Sequence, residues 1–148
     1  MKNAGYPGPA EIFRTVGFVS PEGYDRGFPL PDGATVEEKT EDGVPAAAVL
    51  VGGREVSRAS VNDIDAGDGM AEIYVETAPD CRNLGYATAC VSRLARTLNS
   101  EGRRVRYVCE NDNLPSVRVA EKAGFVPEYR SAALVYYRPE GGRDPDGV

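Results

Sequence analysis

The chain has 148 residues, of which 41% are hydrophobic and 27% charged, and its formal net charge is −6. That is the profile of one globular domain, too short for two and too apolar for disorder throughout. The acidic balance disfavours a nucleic-acid partner, and the absence of histidine removes Ser-His-Asp and Cys-His catalysis together with every His-ligated metal site.

Residues 1–33 are punctuated by Gly and Pro, so they read as loop with one short helix over 10–15, behind Pro9. Residues 34–40 have polar β character, and Glu41-Asp42-Gly43 signals a turn. Val44–Val51 is an apolar strand, far too short to span a bilayer. Gly52-Gly53 predicts a tight hairpin, and 55–61 returns as the next strand. After an Asp/Gly loop, Met70–Thr77 alternates, with Ile73, Val75 and Thr77 on one face and Glu72, Tyr74 and Glu76 on the other. A loop over 79–84 leads to a helix over 85–100, where Ala87, Val91, Leu94, Ala95 and Leu98 recur at helical spacing. Residues 104–109 form a strand. A second helix spans 113–123, with Asn113 as N-cap and Pro115 in its first turn. Two short strands, 125–129 and 132–137, precede a Gly/Pro/Asp-rich tail over 139–148. The strand-helix-strand step from Met70–Thr77 to 104–109 makes those strands parallel neighbours. The expected class is α/β (α+β): a mixed, mostly antiparallel sheet with flanking helices, its domain over 34–138 between a Gly/Pro-rich segment (1–33) and the tail. Cys81, Cys90 and Cys109 are odd in number and lack CxxC spacing, which argues for reduced thiols and against a zinc site. With no basic-then-apolar leader, the chain reads as cytoplasmic, with no membrane partner and no bound metal.

The segment from Thr77 to Thr88 runs from a strand end through a loop into a helix start. A helix N-terminus offers unsatisfied N–H groups and partial positive charge, which suit phosphate oxygens. Gly85 lets the backbone approach a ligand, Ala87 is small, Arg82 supplies a full charge and Thr88 a hydroxyl. Together these suit a pyrophosphate. An ordinary strand-loop-helix junction would hold the same residue types, and the segment alone does not separate the two readings.

Arg82-Asn83-Leu84-Gly85-Tyr86-Ala87 matches R/Q-x-x-G-x-G/A, and Thr77-Ala78-Pro79 precedes it as a strand-end V-x-P does. About thirty residues on, the run from Asn113 to Phe125 fits N-x-x-[AS]-x-x-x-[YA]-E-K-x-G-F. With both motifs at this separation, residues 44–137 resemble the GNAT superfamily of N-acetyltransferases, in a form most similar to the zwittermicin A resistance branch. The resemblance implies central parallel strands splayed apart, with acetyl-CoA (coenzyme A) in the gap as co-substrate. It implies pyrophosphate on the backbone of Arg82, Asn83, Leu84, Gly85, Tyr86 and Ala87 beside Thr88. It implies pantetheine along the strand containing Val75 and Thr77, and contacts from Asn113 and Ser116. It further implies direct transfer to an amine in a ternary complex, without an acyl-enzyme.

Acyl transfer needs a base for the amine proton and a donor for the leaving sulfur. Glu72, then Glu76 and Glu110, are the candidate bases. Each is equally readable as a solvated surface carboxylate. Position 120 carries Ala where many members of the family carry a tyrosine donor. Ser116, Tyr136, Tyr137 or water are the alternatives. The acceptor side is open, or walled by residues 1–33 with Tyr6, Phe13, Tyr24 and Phe28 as anchors, or completed by a partner chain such as a homodimer mate. The reading is a small-molecule amine N-acetyltransferase. A peptide or protein N-acetyltransferase, a non-catalytic acyl-CoA-binding or partner module, and half of a tandem pair are the alternatives.

Overall fold

A computed structural model describes residues 10–64, 69–110 and 112–137. Its elements in chain order are β1 (Ala10–Val19), β2 (Ala34–Glu41), β3 (Val44–Val51), β4 (Arg54–Asp63), β5 (Met70–Thr77), α1 (Tyr86–Ser100), β6 (Arg104–Glu110), α2 (Leu114–Lys122) and β7 (Val126–Tyr137). A single 3-10 turn, Pro79–Cys81, separates β5 from α1. The strands form one seven-stranded sheet in the order β2-β3-β4-β5-β6-β1-β7. Every neighbouring pair is antiparallel except β5 and β6. The mixed, mostly antiparallel class expected from the sequence is the class observed.

Local chemistry sets the first half of the sheet. Gly52 and Gly53 both take positive φ (57° and 81°), the backbone of a two-residue turn whose twist matches that of its strands. In β3, Ala46, Ala47, Ala48 and Val49 are all buried. Ala47 and Val49 face the helices. On the opposite face the small Ala46 and Ala48 leave room for long side chains to meet above them. There Lys39 of β2 pairs with Glu55 of β4 (3.0 Å), and Glu41 of β2 with Arg58 of β4 (3.0 Å).

The main core lies between α1 and the sheet. Val91, Leu94, Ala95 and Leu98 of α1 are buried in one cluster with Val49, Val56, Ala59, Ile73 and Val105. Burying such side chains is the dominant favourable term in the fold, about 1.5–3 kcal/mol each.

Two sequence expectations are corrected. Residues 10–15, read as a helix within a loop, belong to β1, an interior strand bonded to β6 on one side and β7 on the other. The two short strands over 125–129 and 132–137 are one strand, β7. Its ladder with β1 absorbs two register shifts, between Phe13 and Thr15 and between Gly17 and Phe18.

The connection from β1 to β2 must travel from one side of the sheet to its far edge, and it does so over the helices. The Tyr24 hydroxyl donates to the carbonyl of Ala123, and its ring meets Phe125 edge-on at 5.3 Å. The Ser92 hydroxyl donates to the carbonyl of Arg26. Phe28 and Leu30 pack against the core. Tyr24 and Phe28 are thus anchors of this connection to the helical layer. Tyr6, and the tail over 139–148, lie outside the described residues. Among the described residues no helix is long and apolar enough to cross a membrane.

Candidate active site

The site is built by two strands that part. β5 and β6 pair from Met70↔Arg104 to Ile73↔Tyr107 and no further. Beyond that point β5 stays with β4, as far as Ser57↔Thr77, and β6 stays with β1, as far as Thr15↔Glu110. The edge of β5 from Tyr74 to Thr77 that faces β6 therefore has no strand partner. A groove of about 380 Å³ opens there between the start of α1 and α2.

One wall is the loop from β5 to α1. Arg54 grips Asp80 with two bonds of 2.9 Å, which fixes the 3-10 turn to the start of β4. The same guanidinium holds the Asp80 carboxyl down at about 2. The chain then passes through Arg82 in extended form and Asn83 and Gly85 in the left-handed region (φ 64° and 86°) before α1 starts at Tyr86. Gly85 is the N-cap, and no side chain caps the helix. No acidic residue stands in its first turn. A Cβ at Gly85 would meet nothing within 4 Å, so the backbone there borders open space. The first helical bond of this turn runs from the Ala89 amide to the Gly85 carbonyl (3.1 Å). The amides ahead of it are the uncompensated donors of a helix start, an anion site by construction.

The other wall is α2 with the inner face of β6. Asn113 caps α2 through Oδ1, which accepts from the Ser116 amide (3.4 Å). The Ser116 hydroxyl meets the Tyr107 hydroxyl. Tyr107 is 1% exposed, stands edge-on to Phe125 at 6.4 Å, and still lines the groove. Burial pushes its phenol up to about 12, although the Ser116 bond opposes the shift. The phenol is therefore neutral, a donor that holds its proton. Burial also raises the Cys109 thiol, with Ser116 again opposing, which favours the protonated thiol over the thiolate.

Most residues singled out in the sequence come together here. Val75, Glu76, Thr77, Arg82, Asn83 and Gly85 line the groove, as do Tyr86, Ala87, Thr88, Asn113 and Ser116. Thr77 is steadied by Ser57, whose hydroxyl lies 2.8 Å away. Leu84 is 51% exposed and is not part of the lining. Glu72 is not in the lining either. It sits where β5 is still paired with β6, opposite Arg106, and accepts a bond from Asn62 (3.0 Å). Glu110 ends β6 outside the lining, its carbonyl taken by the Asn113 amide (3.1 Å). Tyr136 and Tyr137 belong to β7, and their side chains lie outside the described residues.

Sequence reasoning missed Tyr107 and Cys81, and Pro115, Arg118, Val119 and Lys122 of α2. The α2 set carried a usable signal, because positions 115, 118, 119 and 122 follow the i, i+3, i+4, i+7 spacing of one helix face. Among the described residues no group of His, Cys, Asp and Glu could hold a metal ion.

Residues 29–126 match the profile of the Acetyltransferase (GNAT) domain family. Several solved structures share the fold at low identity. A Drosophila protein superimposes with a TM-score of 0.71 at 9% identity, over 88% of this chain and 52% of its own. A GCN5-related N-acetyltransferase-like protein from Streptococcus suis gives 0.67 at 20% identity, over 90% of this chain and 64% of its own. A GCN5-related N-acetyltransferase from Kribbella flavida gives 0.68 at 15% identity, over 94% and 63%. The chain thus spans between half and two thirds of the length of these structures. No curated protein matches it.

Proposed function

The chain belongs to the GNAT acetyltransferase family, and from that premise we propose that it is an N-acetyltransferase that takes acetyl from acetyl-CoA and passes it directly to an amine. The observation that carries this reading is the unpaired stretch of β5 opening onto an uncapped helix start. A long co-substrate with a phosphate-rich end and an amide-rich arm needs both features side by side. The amides at the start of α1 and Arg82 hold the pyrophosphate. The free edge of β5 at Val75 and Thr77 takes the pantetheine arm as an added strand.

The chemistry then follows from the groove walls. The amine must be neutral to attack, so Glu76, which lines the groove, takes its proton through water. Glu72 serves the same end from farther back on the strand face. As the N–C bond forms and the C–S bond breaks, a free amide of β5 steadies the carbonyl oxygen. Ser116 gives the leaving sulfur a proton, with Tyr107 behind it. Ala120 is fully buried and has no proton to give. The acceptor is a small-molecule amine in a cytoplasmic setting, and the motif form favours the zwittermicin A resistance branch.

Thermal unfolding with and without excess acetyl-CoA tests the reading, with ATP and NAD as controls. A hundredfold excess over Kd stabilises by about 2.7 kcal/mol. For a chain of this size that is a rise of roughly 5–10 °C. The pair Arg82→Glu and Gly85→Asp should abolish the rise. A selective rise is followed by thiol release over an amine panel. No rise with acetyl-CoA sinks the proposal.

A further inference from the structure

Among the described residues, the cations that make neither an ion pair nor a bond to a carbonyl lie in three places. Arg82, Arg118 and Lys122 line the groove already described, and Arg26 lies over the Phe28 ring at 5.8 Å. Arg96 lines a second cavity, of about 420 Å³, that shares no residue with the groove. The groove takes the first turn of α1, at 86–88. This cavity takes the second half of α1, at 93–100, with Glu38 of β2 and residues 23–25 of the β1–β2 connection. Its walls are held by the fold's own bonds. Arg93 (3.0 Å) and Thr97 both bond to the Glu38 carboxylate, which ties α1 to β2. Asn99 Nδ2 donates to the Tyr24 carbonyl (3.4 Å), and the Tyr24 hydroxyl fastens the connection to Ala123. Walls set in advance keep the ordering cost of binding low. No aliphatic side chain lines the cavity, so it suits a small polar molecule and not an acyl chain.

Two charges in this cavity are spare, and they are opposite. Glu38 is already used by Arg93 and Thr97. The Asp25 carboxylate and the Arg96 guanidinium are exposed, line the same cavity, and form an ion pair neither with each other nor with any other described residue. Opposite charges that share a cavity yet stand too far apart to pair leave a gap that a zwitterion spans. We propose that this cavity binds a free α-amino acid with a polar side chain, its carboxylate on Arg96 and its ammonium on Asp25. A guanidinium fork matches a carboxylate with two parallel bonds, and a carboxylate accepts readily from an ammonium. A cation alone would leave Arg96 unanswered, and an anion alone would leave Asp25 so. Thr97, Asn99 and Ser100 complete a lining suited to a polar side chain.

Calorimetry on the full chain with serine, threonine, asparagine and glutamine tests this. The expected result is saturable binding of at least one of them. For the tightest, two analogues follow, the acid without the amine and the amine without the carboxylate. Each should bind about tenfold or more weaker, the usual effect of losing a charge-assisted contact. Arg96→Gln should weaken the amino acid by a similar factor and erase its advantage over the amine. Asp25→Asn should erase its advantage over the acid. Both residues are exposed, and a circular dichroism melt confirms that the variants fold. The acetyl-CoA response should persist in both, since the groove shares no residue with this cavity. Three results overturn the proposal. None of the four amino acids binds, or an analogue with one charge binds as well as its parent, or the affinity is indifferent to both substitutions. The analogue comparison needs only the unaltered chain.

Discussion

Ala120 is buried and inert, whereas Tyr107 brings a hydroxyl from β6 to Ser116 at the groove wall. Tyr107→Phe removes one oxygen and keeps the ring against Phe125. We expect thiol release to fall at least tenfold and acetyl-CoA affinity to hold, since a positioned proton donor typically contributes about 10²–10⁴-fold. Ser116→Ala should match it, and the double variant should add little because the two hydroxyls act in one line. Unchanged turnover in both Tyr107→Phe and Ser116→Ala would make water the donor. Gly85 gives a second residue-scale test. Its φ of 86° is costly for any residue with a Cβ, yet a Cβ there meets no atom. Gly85→Ala should thus cost about 1–2 kcal/mol from backbone strain alone, read as a fall of several degrees in Tm. The two residues also differ in how far sequence could find them. The stretch from Arg82 to Thr88 works through its own backbone, so its chemistry is written locally. Tyr107 acquires its place only when α2 folds back against β6.

At the scale of elements the same divide recurs. β2 to β6 and both helices were legible because alternation, helical spacing and Gly turns all act within a few residues. β1 was not. Its residues sit among Gly and Pro, and what makes them a strand is pairing with β6, more than eighty residues away in sequence, and with β7, farther still. β7 was split because Arg130 and Ser131 interrupt its apolar pattern, although the ladder continues through them. The β1–β2 connection yields an element-scale prediction. Tyr24 fastens it to the end of α2, where its hydroxyl serves the Ala123 carbonyl. Tyr24→Phe leaves that carbonyl without its donor, and an unsatisfied buried acceptor costs about 1–3 kcal/mol. Urea titration should show the lowered midpoint with an unchanged slope. A midpoint that does not move would mean that Phe125 and the packed rings alone hold the connection.

The whole molecule carries a pH signature set by what it buries. It has no histidine, so none of the usual charge changes between pH 5 and 8 arises from an imidazole. Among the described residues, the buried titratable groups are thiols and phenols. Burial pushes Cys90 up to about 11 and Tyr107 up to about 12, and it raises Tyr24 and Cys109 as well. In the unfolded chain these groups ionise near their ordinary values, so above about pH 9 the unfolded state binds fewer protons than the folded one. Stability then falls as pH rises. The loss begins with Cys90 between about pH 9 and 11 and continues with Tyr107 between about 10 and 12. Each two-unit displacement corresponds to roughly 3 kcal/mol at full ionisation. Denaturant melts from pH 7 to 11 should therefore be level at first and then decline steeply. Cys90→Ala will lower stability throughout, because a buried side chain is truncated, but it should make the decline above about pH 9 shallower, with Cys109 still contributing there. Adding Tyr107→Phe should flatten most of what remains. A curve that stays level to pH 11, or one whose decline is indifferent to both substitutions, would mean that these groups reach solvent before the fold opens.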